Sequence, residues 1–253
     1  MPAESASLTL AIEISNPSSG GSGVAIGLMK PDNPAATEVL AVEPLREVDR
    51  DRDDLIPAIE RLLAASGRTL AQVKQVAVSV GPGGFTSTRV ASAAGAMLAE
   101  GLGVPAIAVP SALSALAAVE GGGAGTVAVL MASKGAAAWC AVLPADLSRA
   151  AASAARDGRM MTGAEVLATG ALRALADEHL SAEVRLALGA AGVVVQPLRS
   201  TPAACLAAAS VCEPISPSLL VPIYPREPEA VTLWRQRHGD SGGAATKADT
   251  PGR

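Results

Sequence analysis

The chain of 253 residues is nearly devoid of aromatic side chains: Phe85, Trp139, Tyr224 and Trp234 are the full set. With 49% of its residues hydrophobic, its core must be built from Ala, Val and Leu, so elements can approach closely and packing depends on small residues. Histidine is equally scarce, and His179 and His238 stand far apart. Cys140, Cys205 and Cys212 include no C-x-x-C pair. Neither a metal site nor a disulfide framework is therefore expected. Positive charge is not in excess: the net charge is −4 and the pI about 5.3. That gives no electrostatic basis for a free-standing nucleic-acid binder, while allowing a subunit whose partner carries the basic surface. The start MPAESASL lacks the basic segment of a secretory leader, and no apolar run has the length of a membrane span. The expectation is a reduced, soluble, cytoplasmic protein without a membrane association.

What is present is periodicity. Leu8, Leu10, Ile12 and Ile14 alternate, as do Val24, Ile26 and Leu28 after the loop NPSSGGSG, which predicts a hairpin. A third strand is expected near 38–42. The charged run VDRDRDDL reads as a solvated loop in which Asp53 or Asp54 caps a helix. In that helix Leu55, Ile59, Leu62 and Leu63 form one stripe, and Gly67 closes it. Val76, Val78 and Val80 predict a strand that runs into GPGG, followed by a helix over 86–100, a strand in VPAIAVP and a helix capped by Ser111. Past GGGAG a weaker echo predicts strands over 126–131 and 137–143, a helix over 165–177, a strand over 184–188 and a helix over 203–211. A hairpin-rich start followed by crossover helices matches a ribonuclease-H-like α/β unit, a mixed sheet with helices on both faces. Two such units would make a duplicated architecture. The boundaries expected are 1–110 for the first lobe, completed by 218–237, and 111–217 for a smaller second lobe. The tail 238–253 has little apolar content and is expected to be disordered.

The stretch SVGPGGFTSTRVA carries the most specific signal. Gly81, Gly83 and Gly84 lie between a strand and a helix N-terminus, where exposed N–H groups favour an anion. The pattern is neither a P-loop nor a dinucleotide fingerprint. An anion cradle and a tight strand-to-helix corner are both consistent with it. Phe85 reads as the plug of that corner, Thr86 as a helix cap or a ligand contact, and Arg89 as the residue reaching outward. The helix that follows is small and apolar nearly all round until Glu100. Val90, Ala94, Met97 and Leu98 are expected to face the sheet. The other sides lack the Lys and Glu of a solvated face, so a second cover is expected, from the other half of this chain or from another protein.

The quoted loop, the alanine-rich helix and the serine-led helix resemble the TsaB (YeaZ) family, whose pattern runs GPGSFTGLRIG. LAIEIS with SGVAIGL resembles the family's opening hairpin, and PISPSLLVPIYPREP is similar to its P-x-Y-x-R close through Tyr224 and Arg226. The resemblance covers about 8–118 and 214–229, and not 144–212. Glu13 stands where the family has Asp, and Gly84, Ser87 and Thr88 replace Ser, Gly and Leu. The histidine ahead of the first helix is missing, and MASKGAAAW replaces a DAR-type motif. These departures mark a divergent member.

The resemblance implies a duplicated actin/sugar-kinase-like fold and a non-catalytic subunit without a cofactor. Such a subunit docks a TsaD-like protein as a heterodimer, with a TsaE-like ATPase, in making N6-threonylcarbamoyladenosine at position 37 of tRNA. tRNA would be met only through the complex, and the free chain could form a homodimer through the same face. The expected interface residues are Phe85, Arg89, Ala93, Gly95, Ala96 and Glu100. The rival reading is an ATP-dependent small-molecule kinase in which Glu13, Gly81, Gly83, Gly84 and Thr86 hold a nucleotide and GGSG is a phosphate hairpin. The sequence shows neither a second phosphate loop nor an acid placed to activate a sugar hydroxyl.

Overall fold

The alternating apolar residues do build strands. The computed structural model describes residues 6–16, 21–30, 33, 36–46, 54–119, 125–131, 135–152, 158–225, 234 and 237. β1 (Ser7–Glu13), β2 (Gly23–Met29) and β3 (Glu38–Pro44) form an antiparallel meander, with Ile12 opposite Val24. Then follow α1 (Leu55–Ser66), β4 (Gln75–Ser79), α2 (Phe85–Leu102), β5 (Ala106–Val109) and α3 (Ser111–Ala117). The second half runs β6 (Thr126–Met131), β7 (Ala137–Pro144), α4 (Leu147–Ala152), β8 (Arg159–Thr162), α5 (Gly163–Ala168), β9 (Arg173–Ala176), α6 (Ala182–Ala190), β10 (Val194–Pro197), α7 (Pro202–Ala209) and β11 (Pro214–Ile215).

The two sheets repeat one topology. The first has the order β11-β5-β4-β1-β2-β3 and the second β10-β9-β6-β7-β8. In each, a meander supplies three strands, and two parallel strands add on the free side of the meander's first strand. This is a duplicated ribonuclease-H-like α/β fold, which the sequence shows only as a weak echo.

Strand alternation decides which layer each residue enters. Leu8, Leu10, Ile12 and Ile14 face α1 and α2, together with Val76, Val78, Leu55 and Leu62. Ala11, Ala25, Ala77 and Ile107 face the opposite way and share a core with α3, α7 and the inner face of the second sheet, including Val127, Val129 and Trp139. α3 and α7 occupy equivalent places in the two halves and pack on each other between the sheets. Small side chains predominate in this middle layer: the buried set of α7 is Pro202, Ala204, Cys205, Leu206, Ala208 and Ala209.

The second half departs from the sequence expectations. Residues 165–177, expected as one helix, form α5, a turn and β9. Residues 184–188, expected as a strand, lie within helix α6, and the strand sits further on as β10. The alanine-rich sequence raises helix propensity everywhere, so the pattern fails where four-residue strands are too short to show a period. β11 pairs with β5, so 214–215 extend the first sheet rather than the second lobe. Asp54 does precede α1, but its carboxylate makes no cap bond and instead receives the Arg61 guanidinium. The tail 238–253, residues 121–124 of GGGAG, and most of the charged run lie outside the described residues.

Candidate functional site

The glycine loop is tied down from three directions. The Gly84 N–H donates to the Ser15 carbonyl at 2.7 Å. The Ser111 N–H donates to the Gly81 carbonyl at 2.8 Å, and the Ile223 N–H to the Val80 carbonyl at 2.7 Å. Gly81 has φ +99°, a region side chains avoid, and a Cβ on Gly83 would overlap the Ser15 backbone. The glycines therefore let the loop lie directly on the end of β1. The N–H of Gly84, just ahead of α2, is already used by protein.

Beneath the loop sits a sealed polar cluster. Glu13, 1% exposed, accepts hydrogen bonds from the Ser15 N–H (3.0 Å), the Ser15 hydroxyl (2.6 Å) and the Ser114 hydroxyl (2.9 Å). Ser79 and Ser111 complete a hydroxyl triangle with Ser15, with sides of 2.9–3.0 Å. Desolvation raises the Glu13 pKa above the usual carboxylate value, against the lowering effect of these donors. Cys205 of α7 lies alongside, its thiol pushed well up by burial and by the neighbouring carboxylate. Cys140 is likewise pushed up to about 12 by burial, so both thiols are inert.

The helix launched by the loop presents a different surface. α2 turns Thr88, Ala91, Ser92, Gly95 and Ala99 to the sheet. A Cβ on Gly95 would overlap Val78, so this glycine sets how closely α2 approaches β4. Outward, at intervals of four, stand Phe85 (50% exposed), Arg89, Ala93 and Met97 (76% exposed), with Thr86 and Glu100 beside them. The Arg89 guanidinium lies 5.2 Å above the Phe85 ring, and Tyr224 packs on that ring at a 5.2 Å centroid separation. This is a cation–π stack built on an aromatic pair. The C-terminal segment carrying Tyr224 also presses Leu220 towards Gly95, while Leu219 and Val221 on either side are exposed.

Comparison with known proteins bears on this geometry. The family model for TsaD, tRNA N6-adenosine threonylcarbamoyltransferase, matches residues 44–156, which include the glycine loop and α2. Among solved structures, YeaZ from Pseudomonas aeruginosa aligns with TM-score 0.59 at 20% identity, covering 86% of this chain and 99% of that one. An uncharacterised protein from Pseudomonas aeruginosa, described as similar to the peptidase YeaZ, aligns with TM-score 0.62 at 20% identity, covering 87% of this chain and 100% of that one. The chain has the fold of these two proteins. No curated protein sequence matches it.

The expected site residues separate into two groups. Phe85, Thr86, Arg89, Ala93 and Glu100 are exposed, and Ala96 is half-buried on their edge. Glu13, Gly81 and Gly95 are interior, so Glu13 does not face an open ligand site and Gly95 cannot touch a partner. Gly83 and Gly84 are exposed but held by Ser15, as given above. Thr86 does not cap α2. Gly84 is the N-cap residue, and the Ser87 and Thr88 hydroxyls return to its carbonyl at 3.0 and 2.9 Å. Phe85 is not a buried plug, because the corner is closed by backbone bonds and the ring is left outside. Met97 was expected on the sheet and faces outward instead: glycine at position 95 rotates the contact line by one residue. Ser111 does not cap α3 either, since its hydroxyl belongs to the buried triangle. The serine cluster was not anticipated. Its only sequence signal is the polar residue found at matching strand ends, Ser15, Ser79 and Ser111.

Proposed function

We propose that this chain is a non-catalytic subunit that docks a TsaD-like threonylcarbamoyltransferase through the outward face of α2. In that role it supports formation of N6-threonylcarbamoyladenosine at position 37 of tRNA. The observation that carries the reading is the stripe Phe85–Arg89–Ala93–Met97, exposed among the described residues and preassembled with Tyr224, on a helix whose other side packs on the sheet. Exposed aromatic, Met and Arg side chains over a small-residue centre are the composition of an interface core. With a net charge of −4, tRNA is reached through the partner rather than by this chain.

The kinase reading loses its anchor, because its nucleotide-holding acid, Glu13, is sealed under three serines, and Gly21 of the supposed phosphate hairpin is packed against the Ser200 carbonyl. The test is co-purification of the full chain with a TsaD-like protein. Ala93→Arg should abolish the complex while leaving the melting temperature of the free chain unchanged. A complex formed as well by Ala93→Arg as by the parent chain overturns the proposal.

A further inference from the structure

The sealed cluster under the glycine loop is short of protons if Glu13 is ionised. Four oxygen–oxygen separations of hydrogen-bond length join it to the serine triangle: Ser15 to Glu13 at 2.6 Å, Ser79 to Ser15 at 3.0 Å, Ser111 to Ser15 at 2.9 Å and Ser79 to Ser111 at 3.0 Å. A hydroxyl carries one proton and an ionised carboxylate none. With Ser15 donating to an ionised Glu13, the two remaining hydroxyl protons must serve three separations. One pair of oxygens is then left lone pair to lone pair. A protonated carboxyl supplies the missing proton. It reverses the donor in the 2.6 Å separation, and Ser15, Ser79 and Ser111 then each donate once around the triangle. The Ser114 hydroxyl and the Ser15 N–H donate to the carboxyl in either state.

The surroundings favour the same state. Glu13 is 1% exposed, and Ser15, Ser79 and Ser111 are fully buried. Among the described residues Glu13 makes no ion pair. Facing it are hydroxyls of β4, α3 and its own strand, Gly23 opposite it on β2, and the Cys205 thiol of α7. α2 turns its charged residues, Arg89 and Glu100, outward. Cys205 is thus the one ionisable neighbour, and burial keeps it a neutral thiol. A buried carboxylate without a cation is costly, and the acid form removes that cost.

The same serines hold main chain. The Ser15 carbonyl receives the Gly84 N–H, and the Ser111 N–H donates to the Gly81 carbonyl. Repulsion that parts Ser15 from Ser111 therefore pulls on both ends of the corner from which α2 starts. We infer that Glu13 is a neutral carboxylic acid that latches the glycine corner, and that loss of its proton releases the corner. Rising pH is then the release signal. The inference does not rest on the docking reading, since none of these groups lies on the outward face of α2.

Carbon-13 NMR of the full chain, labelled at the glutamate side-chain carboxyl, tests it across a pH series. One carboxyl should keep its proton where the exposed glutamates have lost theirs, and Glu13→Gln should remove that signal. Ser111→Ala takes away one proton but two of the separations, so the hydroxyls of Ser15 and Ser79 then satisfy an ionised Glu13. The signal should titrate at lower pH in that variant, whereas a carboxyl that is only desolvated keeps or raises its titration on losing a nearby hydroxyl. Being the one signal that moves, it is identified even if Glu13→Gln does not fold. Hydrogen exchange over the same series reads the latch. As the acid ionises, protection of the Gly84 and Ser111 amides should fall at least about tenfold against that of the Lys74 amide, which is bonded to the Leu8 carbonyl at the other end of β1. Each of three results overturns the inference: glutamate carboxyls that all titrate together, a titration unmoved or raised in Ser111→Ala, or protection that does not change as the acid ionises.

Discussion

Helices α2 and α7 read almost alike as sequence, alanine-rich and apolar nearly all round, yet the fold treats them oppositely. α7 is enclosed between the two sheets, with Cys205, Leu206, Ala208 and Ala209 all at 0% exposure. α2 is packed on one side only and leaves Phe85, Ala93 and Met97 in solvent. α6, the topological counterpart of α2 in the second half, has an outer face broken by charge: its exposed positions are Ala182, Glu183, Arg185, Leu186, Gly189 and Ala190. Composition alone reports that a helix lacks a charged face. Only topology reports whether the chain itself supplies the cover.

The sharpest way to break this comparison is to place one charge on each helix. Ala208→Arg puts an unpaired cation into the middle layer, which costs several kcal/mol against a typical domain stability of about 5–15 kcal/mol. Loss of a cooperative thermal transition is the expected result. Ala93→Arg, on the open side of α2, should shift stability by no more than about 0.5 kcal/mol. Equal losses in urea melts would show that α2 is also covered, and would remove the basis for a docking face.

Much of the first half was legible because the strands of its meander are seven residues long and the first two alternate cleanly: β1, β2 and β3 fall where Leu10, Ile26 and Glu38 place them. Gly67 and Gly103 end α1 and α2 in the left-handed conformation, as glycine after an apolar stripe signals. The second half was misread at α6 because AEVRLAL carries apolar residues at both two- and four-residue intervals. The candidate site was legible as a location and not as an orientation. Phe85, Arg89 and Ala93 emerge on the open face. Gly95 and Met97 were exchanged, because a one-residue rotation of a uniformly small helix leaves no trace in its hydrophobic pattern.

Glu13 probes the seal between α7 and the glycine loop. Glu13→Ala removes the acceptor of three hydrogen bonds and leaves buried hydroxyls unsatisfied, at about 1–3 kcal/mol each. Glu13→Gln tests the charge separately. The folded pKa is raised by desolvation above the usual 4.5, so the stability Glu13 contributes is fully present below that value and is lost as pH rises through its folded pKa. The Gln variant should lack that decline and equal or exceed the parent chain at neutral pH. A parallel decline in both, measured by urea titration across pH, would assign the effect elsewhere.

Two glycines within α2 give opposite signs. Glycine to alanine in a helix ordinarily gains about 1 kcal/mol. At Gly101, where a Cβ would meet open space, that gain should appear. At Gly95 the new methyl overlaps Val78, and overpacking of about 1–3 kcal/mol outweighs the gain. Thermal melts of the two variants should therefore move in opposite directions. Stabilisation by Gly95→Ala would mean that α2 does not approach β4 as closely as described.

The smallest effect comes from α1, which is tied to the sheet edge by an ion-paired arginine. Arg61 donates to Asp54 at 2.7 and 2.9 Å and also meets Glu43 of β3, tying helix to sheet edge. The Arg61 hydrogen bonds, then the Arg46 N–H, hold the Asp54 pKa down to about 2 from its usual 3.8. A depressed folded pKa contributes stability that is present above the unfolded value and is lost as pH falls through the folded one. Asp54 should thus add a step to acid unfolding between about pH 4 and pH 2. Arg61→Gln should erase that step while changing neutral-pH stability only modestly, as expected of a partly solvated pair. The step also runs opposite in sign to that of Glu13, so the two carboxylates are separable in one pH series. An acid transition unchanged in Arg61→Gln would show that α1 is held to the sheet by packing alone, and would erase the contrast between an α1 tied by ion pairs and an α2 held only by packing.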